Sequence, residues 1–169
     1  MSKVYPGTMT QTAEIADRFK PHPFIKLRAD HGDKIARWVL DHGQQFEIGP
    51  ETYKGRRGRQ GLCFMNATHL AWDNPELFYV EGYVCIHGIS IEHAWVCDKD
   101  RNIFDPTLRV APDKSKNLRN DPTRITDYFG VVFGHAYLRR ATLANGYYGL
   151  FANASTRALV TGQVKDWQP

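Results

Sequence analysis

The chain has 169 residues, with 42% hydrophobic and 12% aromatic side chains. That is the size of one domain with a real core, and it excludes a disordered or fibrous protein. The formal charge of +4 and the pI near 9.0 are mildly basic and permit acidic partners without requiring them. No run of apolar residues is long enough to cross a membrane. The N-terminus lacks the apolar stretch of a secretory signal, so a soluble, cytoplasmic protein is expected.

The composition and pattern suggest a single domain over 1–169, without internal repeats or an interdomain linker. Residues 1–29 read as irregular, because Pro6, Pro21 and Pro23 discourage long elements. Asp33–His42 reads as a helix with an apolar stripe of Ile35, Val39 and Leu40, stopped by Gly43. A loop over Ile48–Gly61 contains the basic run Lys54–Arg59. From Leu62 to Trp72 the pattern is helical, and Asp73-Asn74-Pro75 ends it. Leu77–Ile86 and Ile91–Cys97 read as strands joined by a turn at His87–Ser90, and DKDRN leads to a short third strand, Ile103–Asp105. Asp113–Asp121 is a polar loop. Ile125–Phe133 reads as a strand, while His135–Leu143 fits either strand or helix. A helix followed by an antiparallel meander gives an α+β layout.

Three residues in this layout carry chemistry. Cys63 stands at the start of a helix, where unpaired N–H groups and the helix dipole favour a thiolate, the form that attacks carbonyl carbon. Alternation in IEHAWVC puts His93 on one face with Ile91 and Trp95, with Glu92, Ala94 and Val96 on the other. Held among large neighbours, an imidazole there suits a general base. Asp105 ends the adjoining strand, before Pro106, where its carboxylate would accept from Nδ1–H of His93 and fix the tautomer. Taken singly, a buried cysteine, a core histidine and a turn aspartate are ordinary. Their joint placement, with the nucleophile on a helix start, the base on one strand and the orienting group on the next, points to catalysis.

The segments His93-Ala-Trp-Val96 and Phe104-Asp-Pro-Thr107 resemble the HAW…DPT pattern of transglutaminase-like cysteine enzymes. Gly61-Leu-Cys-Phe-Met-Asn-Ala67 resembles the helix segment of that superfamily that carries the nucleophile, and Tyr79–Tyr83 its preceding strand. The likeness runs from about residue 60 to 107. It implies a papain-like or transglutaminase-like core with the nucleophile helix on an antiparallel sheet, Cys63 as nucleophile, His93 as general base and acid, and Asp105 as orienting group. Arg57–Asn66 also looks like the active-site segment of arylamine N-acetyltransferases, although this chain is much shorter.

Around the trio, Gln60 is a candidate oxyanion donor, Asn66 a buttress one turn along the helix, Trp95 a packing partner for the imidazole, and Glu81 a substrate contact or an exposed strand position. The expected activity is hydrolysis of a peptide, isopeptide or other amide bond through an acyl-enzyme, with a protein, peptide or small acyl substrate and neither metal nor organic cofactor. The alternatives are acyl transfer of the transglutaminase or N-acetyltransferase type, and an inactive binding module of the same fold, with nucleic acid as one ligand open to it. Zinc is set aside, because CxxC and HExxH pairs are lacking and the cluster Cys85, His87, Cys97 is loosely spaced. The run Lys54–Arg59 has four cations in six residues but no accompanying nucleic-acid signature, so nucleic acid is not an expected partner.

Overall fold

The computed structural model describes residues 23–46, 55, 58–86, 88–108, 125–151 and 158–169. Its elements are α1 (Pro23–Asp30), α2 (Lys34–His42), β1 (Gln44–Phe46), α3 (Cys63–Asp73), β2 (Phe78–Ile86), β3 (Ile89–Cys97), β4 (Ile103–Phe104), β5 (Ile125–Phe133) and α4 (His135–Asn145). The protein is α+β. The turn residue His87, the loop Asp113–Asp121 and most of the basic run, including Lys54, Arg56 and Arg57, lie outside the described residues.

Local signals explain most boundaries. Asp33 caps α2, its Oδ1 accepting from the backbone N–H groups of Ile35 and Ala36 at 3.0 and 2.9 Å. The helix α1 corrects the irregular reading of 1–29 over residues 23–30. Pro23 takes the first helical position, where its missing N–H costs nothing, so the proline begins the helix that it was expected to prevent. The segment from His135, open between strand and helix, is helix α4, ended by Gly146 at φ 71.

The sheet has five strands in the order β1-β5-β2-β3-β4, and every neighbouring pair is antiparallel. Strands β2, β3 and β4 form the expected meander. β5 then returns to lie between β1 and β2. One face of the sheet presents Tyr79, Tyr83, Ala94, Val96, Phe129, Val131 and Phe133 to all four helices. The opposite face holds a smaller core of Phe46, Val80, Val84, Trp95, Cys97 and Tyr128. The alternation read from IEHAWVC therefore separates two cores.

Close strand approach requires glycine at one place near the site. Gly82 pairs with His93 on one side and with Gly130 on the other. A Cβ on Gly82 would meet the Phe129 carbonyl oxygen at 2.2 Å and Gly130 Cα at 2.4 Å, both backbone atoms. Gly82→Ala is therefore expected to lower stability by about 2–4 kcal/mol, measured by denaturant unfolding. A loss under about 0.5 kcal/mol would mean that the strands have room to part.

Candidate active site

Four segments build the site. The DKDRN turn comes first, because it sets the register of β3 against β4. Asp98 Oδ1 accepts from the backbone N–H of Asp100 and of Asn102, each at 2.9 Å, and Arg101 takes the left-handed conformation at φ 66. Val96 is thereby paired with Phe104 and Cys97 with Ile103. Extending that register by one residue sets Asp105 level with Trp95, on the face that carries His93. A slip of one residue would turn the carboxylate to the other face.

The second segment, Gly58–Leu62, leads into α3 at Cys63. Gly58 N–H donates to the Pro106 carbonyl at 2.8 Å, which ties the approach to α3 directly to the segment after Asp105. Gly61 has φ 80, a left-handed turn that aims the chain into α3 at Cys63. Asn66 Nδ2 donates to the Arg59 carbonyl and to Thr107 Oγ1, both at 2.9 Å, and so links the first turn of α3 to both flanking segments. A Cβ on Gly58 would fall on the Asn66 amide, 2.2 Å from its Cγ. Glycine at 58 and asparagine at 66 are thus one device.

His93 projects from β3 and is almost wholly buried, at 2% exposure. Its Nε2–H donates to Asp105 Oδ2 at 2.7 Å. The expected nitrogen was Nδ1, and the structure corrects this. The aspartate approaches from the β4 side and meets the far ring nitrogen, leaving Nδ1 as the nitrogen available to Cys63. Burial alone would strip the imidazole of its proton, but hydrogen bonding to Asp105 and to Cys63, with the charges of both, overcomes this and raises His93 to about 9.

Asp105 is buried yet held below the usual carboxylate range. Burial opposes its charge, and His93 together with the backbone N–H groups of Leu108 and Thr107 more than compensates. Those two N–H groups donate to Oδ1, each at 2.8 Å. The Tyr128 hydroxyl donates to Oδ2, also at 2.8 Å.

Trp95 is fully buried and lies nearly parallel to the imidazole, with ring centroids 6.1 Å apart at 17°. Gln60 is exposed in the turn before α3. Glu81 departs from both roles considered for it. It is 1% exposed and accepts from Tyr79 Oη at 2.5 Å, Leu150 N at 2.7 Å and Phe151 N at 2.8 Å. It lies on the helical face of β2 and clasps the segment that follows α4, so it neither touches solvent nor waits for substrate. Strand alternation alone hid this, because the clasped segment is 69 residues away in the chain.

Tyr128 was not anticipated. In the sequence it is one aromatic of the strand ITDYFGVVF, and its partner Asp105 lies 23 residues away across three strands of the sheet. No local signal marks it.

Of the three thiols, Cys63 is partly exposed while Cys85 and Cys97 are buried. Burial pushes the Cys97 thiol up to about 12, with Asp98 adding to the effect and Arg101 opposing it. Among the described residues no helix is long and apolar enough to cross a membrane. No protein-family model matches the chain, and no curated protein and no solved structure matches it either.

Proposed function

We propose that the chain is a cysteine-nucleophile hydrolase of transglutaminase-like or papain-like architecture, cleaving a peptide, isopeptide or other amide bond through an acyl-enzyme. The observation that carries this reading is the buried His93–Asp105 pair, joined at 2.7 Å, with the partly exposed Cys63 acting on the same ring from a helix N-terminus. A buried, paired imidazole beside a reachable thiol is what covalent acyl chemistry needs. A purely structural cysteine needs neither the access nor the partner.

The steps follow from the groups present. Cys63 Sγ attacks the carbonyl carbon as the thiolate, its proton held on His93 Nδ1, and the carbonyl π electrons move to oxygen. The Cys63 backbone N–H and the Gln60 side chain are the candidate donors to that oxyanion. Collapse expels the amine, which takes the proton from His93, and leaves a thioester on Cys63. Water then attacks the thioester, giving one proton back to His93. The acid leaves as Sγ departs, and the resting pair is restored. An amine in place of water would give acyl transfer by the same route.

Incubation with a p-nitrophenyl ester, followed by acid quench and peptide mapping, tests the proposal. An acyl adduct confined to Cys63, absent in Cys63→Ala and reduced about 100-fold or more in rate in His93→Ala, is the expected result. Equal, slow modification of Cys63, Cys85 and Cys97 would overturn it. Added amine distinguishes hydrolysis from transfer by the product released. Because the leaving group takes its proton from the imidazolium, kcat/KM on an amide substrate is expected to fall as pH rises through about 9.

A further inference from the structure

Asp105 is oriented by more than its own loop. Oδ1 is occupied by two main-chain donors, the N–H groups of Thr107 and Leu108. Oδ2, the oxygen that holds His93, receives a second side-chain donor from a strand three places away from β4 in the sheet, the Tyr128 hydroxyl on β5. We propose that Tyr128 is a positioning residue whose hydroxyl sets how strongly Asp105 holds the imidazolium of His93, and thereby how readily His93 gives up its proton.

The geometry supports a fixed donor. Tyr128 is fully buried, its ring meets Trp95 edge-on at 4.9 Å and 69°, and it lies 6.3 Å from the His93 ring. Register places it between Val84 of β2 and Phe46 of β1. Packed on these sides, the ring cannot swing its hydroxyl away. An O–H donated to a carboxylate oxygen withdraws charge from it, so the same oxygen attracts the Nε2–H of His93 less. Two donors on one oxygen are therefore in competition. The tyrosine weakens the pair enough for the imidazolium to act as an acid, while keeping the carboxylate in place. Ionisable groups that act on this pair include Cys63 from α3 and Tyr128 from β5. Glu92 is on the opposite face of β3. A buried tyrosine satisfied by any available acceptor would make the same contact, so the test must separate tuning from space-filling.

This inference rests on the proposed acyl chemistry for its purpose, but its physical content can be measured without turnover. The experiment is an NMR titration of the His93 ring in the wild-type chain, in Tyr128→Phe, and in a chain with 3-fluorotyrosine incorporated at 128 alone. The His93→Ala spectrum identifies the resonance among the seven histidines. Phenylalanine leaves Oδ2 to His93, and the His93 midpoint is expected to rise by roughly half a unit to one unit. Fluorotyrosine is a stronger donor of nearly the same shape, so the midpoint is expected to fall. The alkaline limb of kcat/KM should move in the same directions.

Should Tyr128→Phe fail to fold, the fluorinated chain still reports, because it alters the acidity of the hydroxyl and hardly its volume. Unchanged His93 midpoints, with only the thermal midpoint altered, would overturn the proposal and leave Tyr128 as packing. The opposite order of shifts would overturn it too. The ordered shifts in a chain that never acylates Cys63 would uphold the coupling and refute the hydrolase reading, so the two failures are distinguishable.

Discussion

Asp105→Asn is expected to lower kcat/KM on an amide substrate by roughly 10³–10⁴-fold, although the side chain is nearly isosteric. The reason lies in the donors around the carboxylate. Two backbone N–H groups point at Oδ1, and His93 and Tyr128 point at Oδ2. An asparagine offers one acceptor oxygen and one NH₂, so one side of the amide must face donors with donors. With its oxygen toward Thr107 and Leu108, its NH₂ faces His93 Nε2, which must then become an acceptor. The ring proton moves to Nδ1, the nitrogen on the Cys63 side, where it blocks uptake of the thiol proton. The reverse orientation leaves the two main-chain donors unsatisfied in a buried site. Either way the support that raises His93 is lost, and its midpoint should fall well below the wild-type value of about 9. Steady-state kinetics and alkylation of Cys63 across pH would check this. Wild-type rates in Asp105→Asn would remove Asp105 from the mechanism.

The second large effect is one of stability. Glu81→Ala should cost about 3–5 kcal/mol in denaturant unfolding, because it strands the Tyr79 hydroxyl and the N–H groups of Leu150 and Phe151 in the core. The wild-type chain should also show a pH signature. Burial lifts the Glu81 carboxyl from 4.5 to about 7, against the three hydrogen bonds that favour its charge. The folded state thus holds a proton that the unfolded chain releases near 4.5. Its contribution is full below that pH and is lost as pH rises through about 7, a change of roughly 3 kcal/mol. Urea unfolding at pH 4.5 and at pH 8, in the wild type and in Glu81→Ala, isolates the contribution of this carboxyl. The slope should flatten in the variant. If both chains share one pH profile, Glu81 does not ionise in this range.

Glu81 and Tyr128 together mark where reading the chain in one dimension stops. Glu81 stands in an otherwise apolar-aromatic strand, so its burial had to be met by donors, but those donors come from the far end of α4. Tyr128 reaches Asp105 because β5 enters the sheet beside β2, an order that no periodicity encodes. Cys63, His93 and Asp105 were legible for the opposite reason. Each is tied to a local signal: a glycine turn before a helix, alternation in a strand, a proline after a strand end. Only one hairpin is needed to bring the last two together.

By itself, then, the sequence determined that the chain has an α+β layout, that β2 to β4 run as a meander, and that His93 shares a face with Trp95. These are short-range matters of dihedral preference and side-chain period, decided within a dozen or so residues. Tertiary structure decided which ring nitrogen meets Asp105, that β5 lies inside the sheet, and that Glu81 is a clasp. Each of these depends on what packs against the residue from far along the chain, and burial and hydrogen-bond satisfaction choose that partner after the local elements have formed.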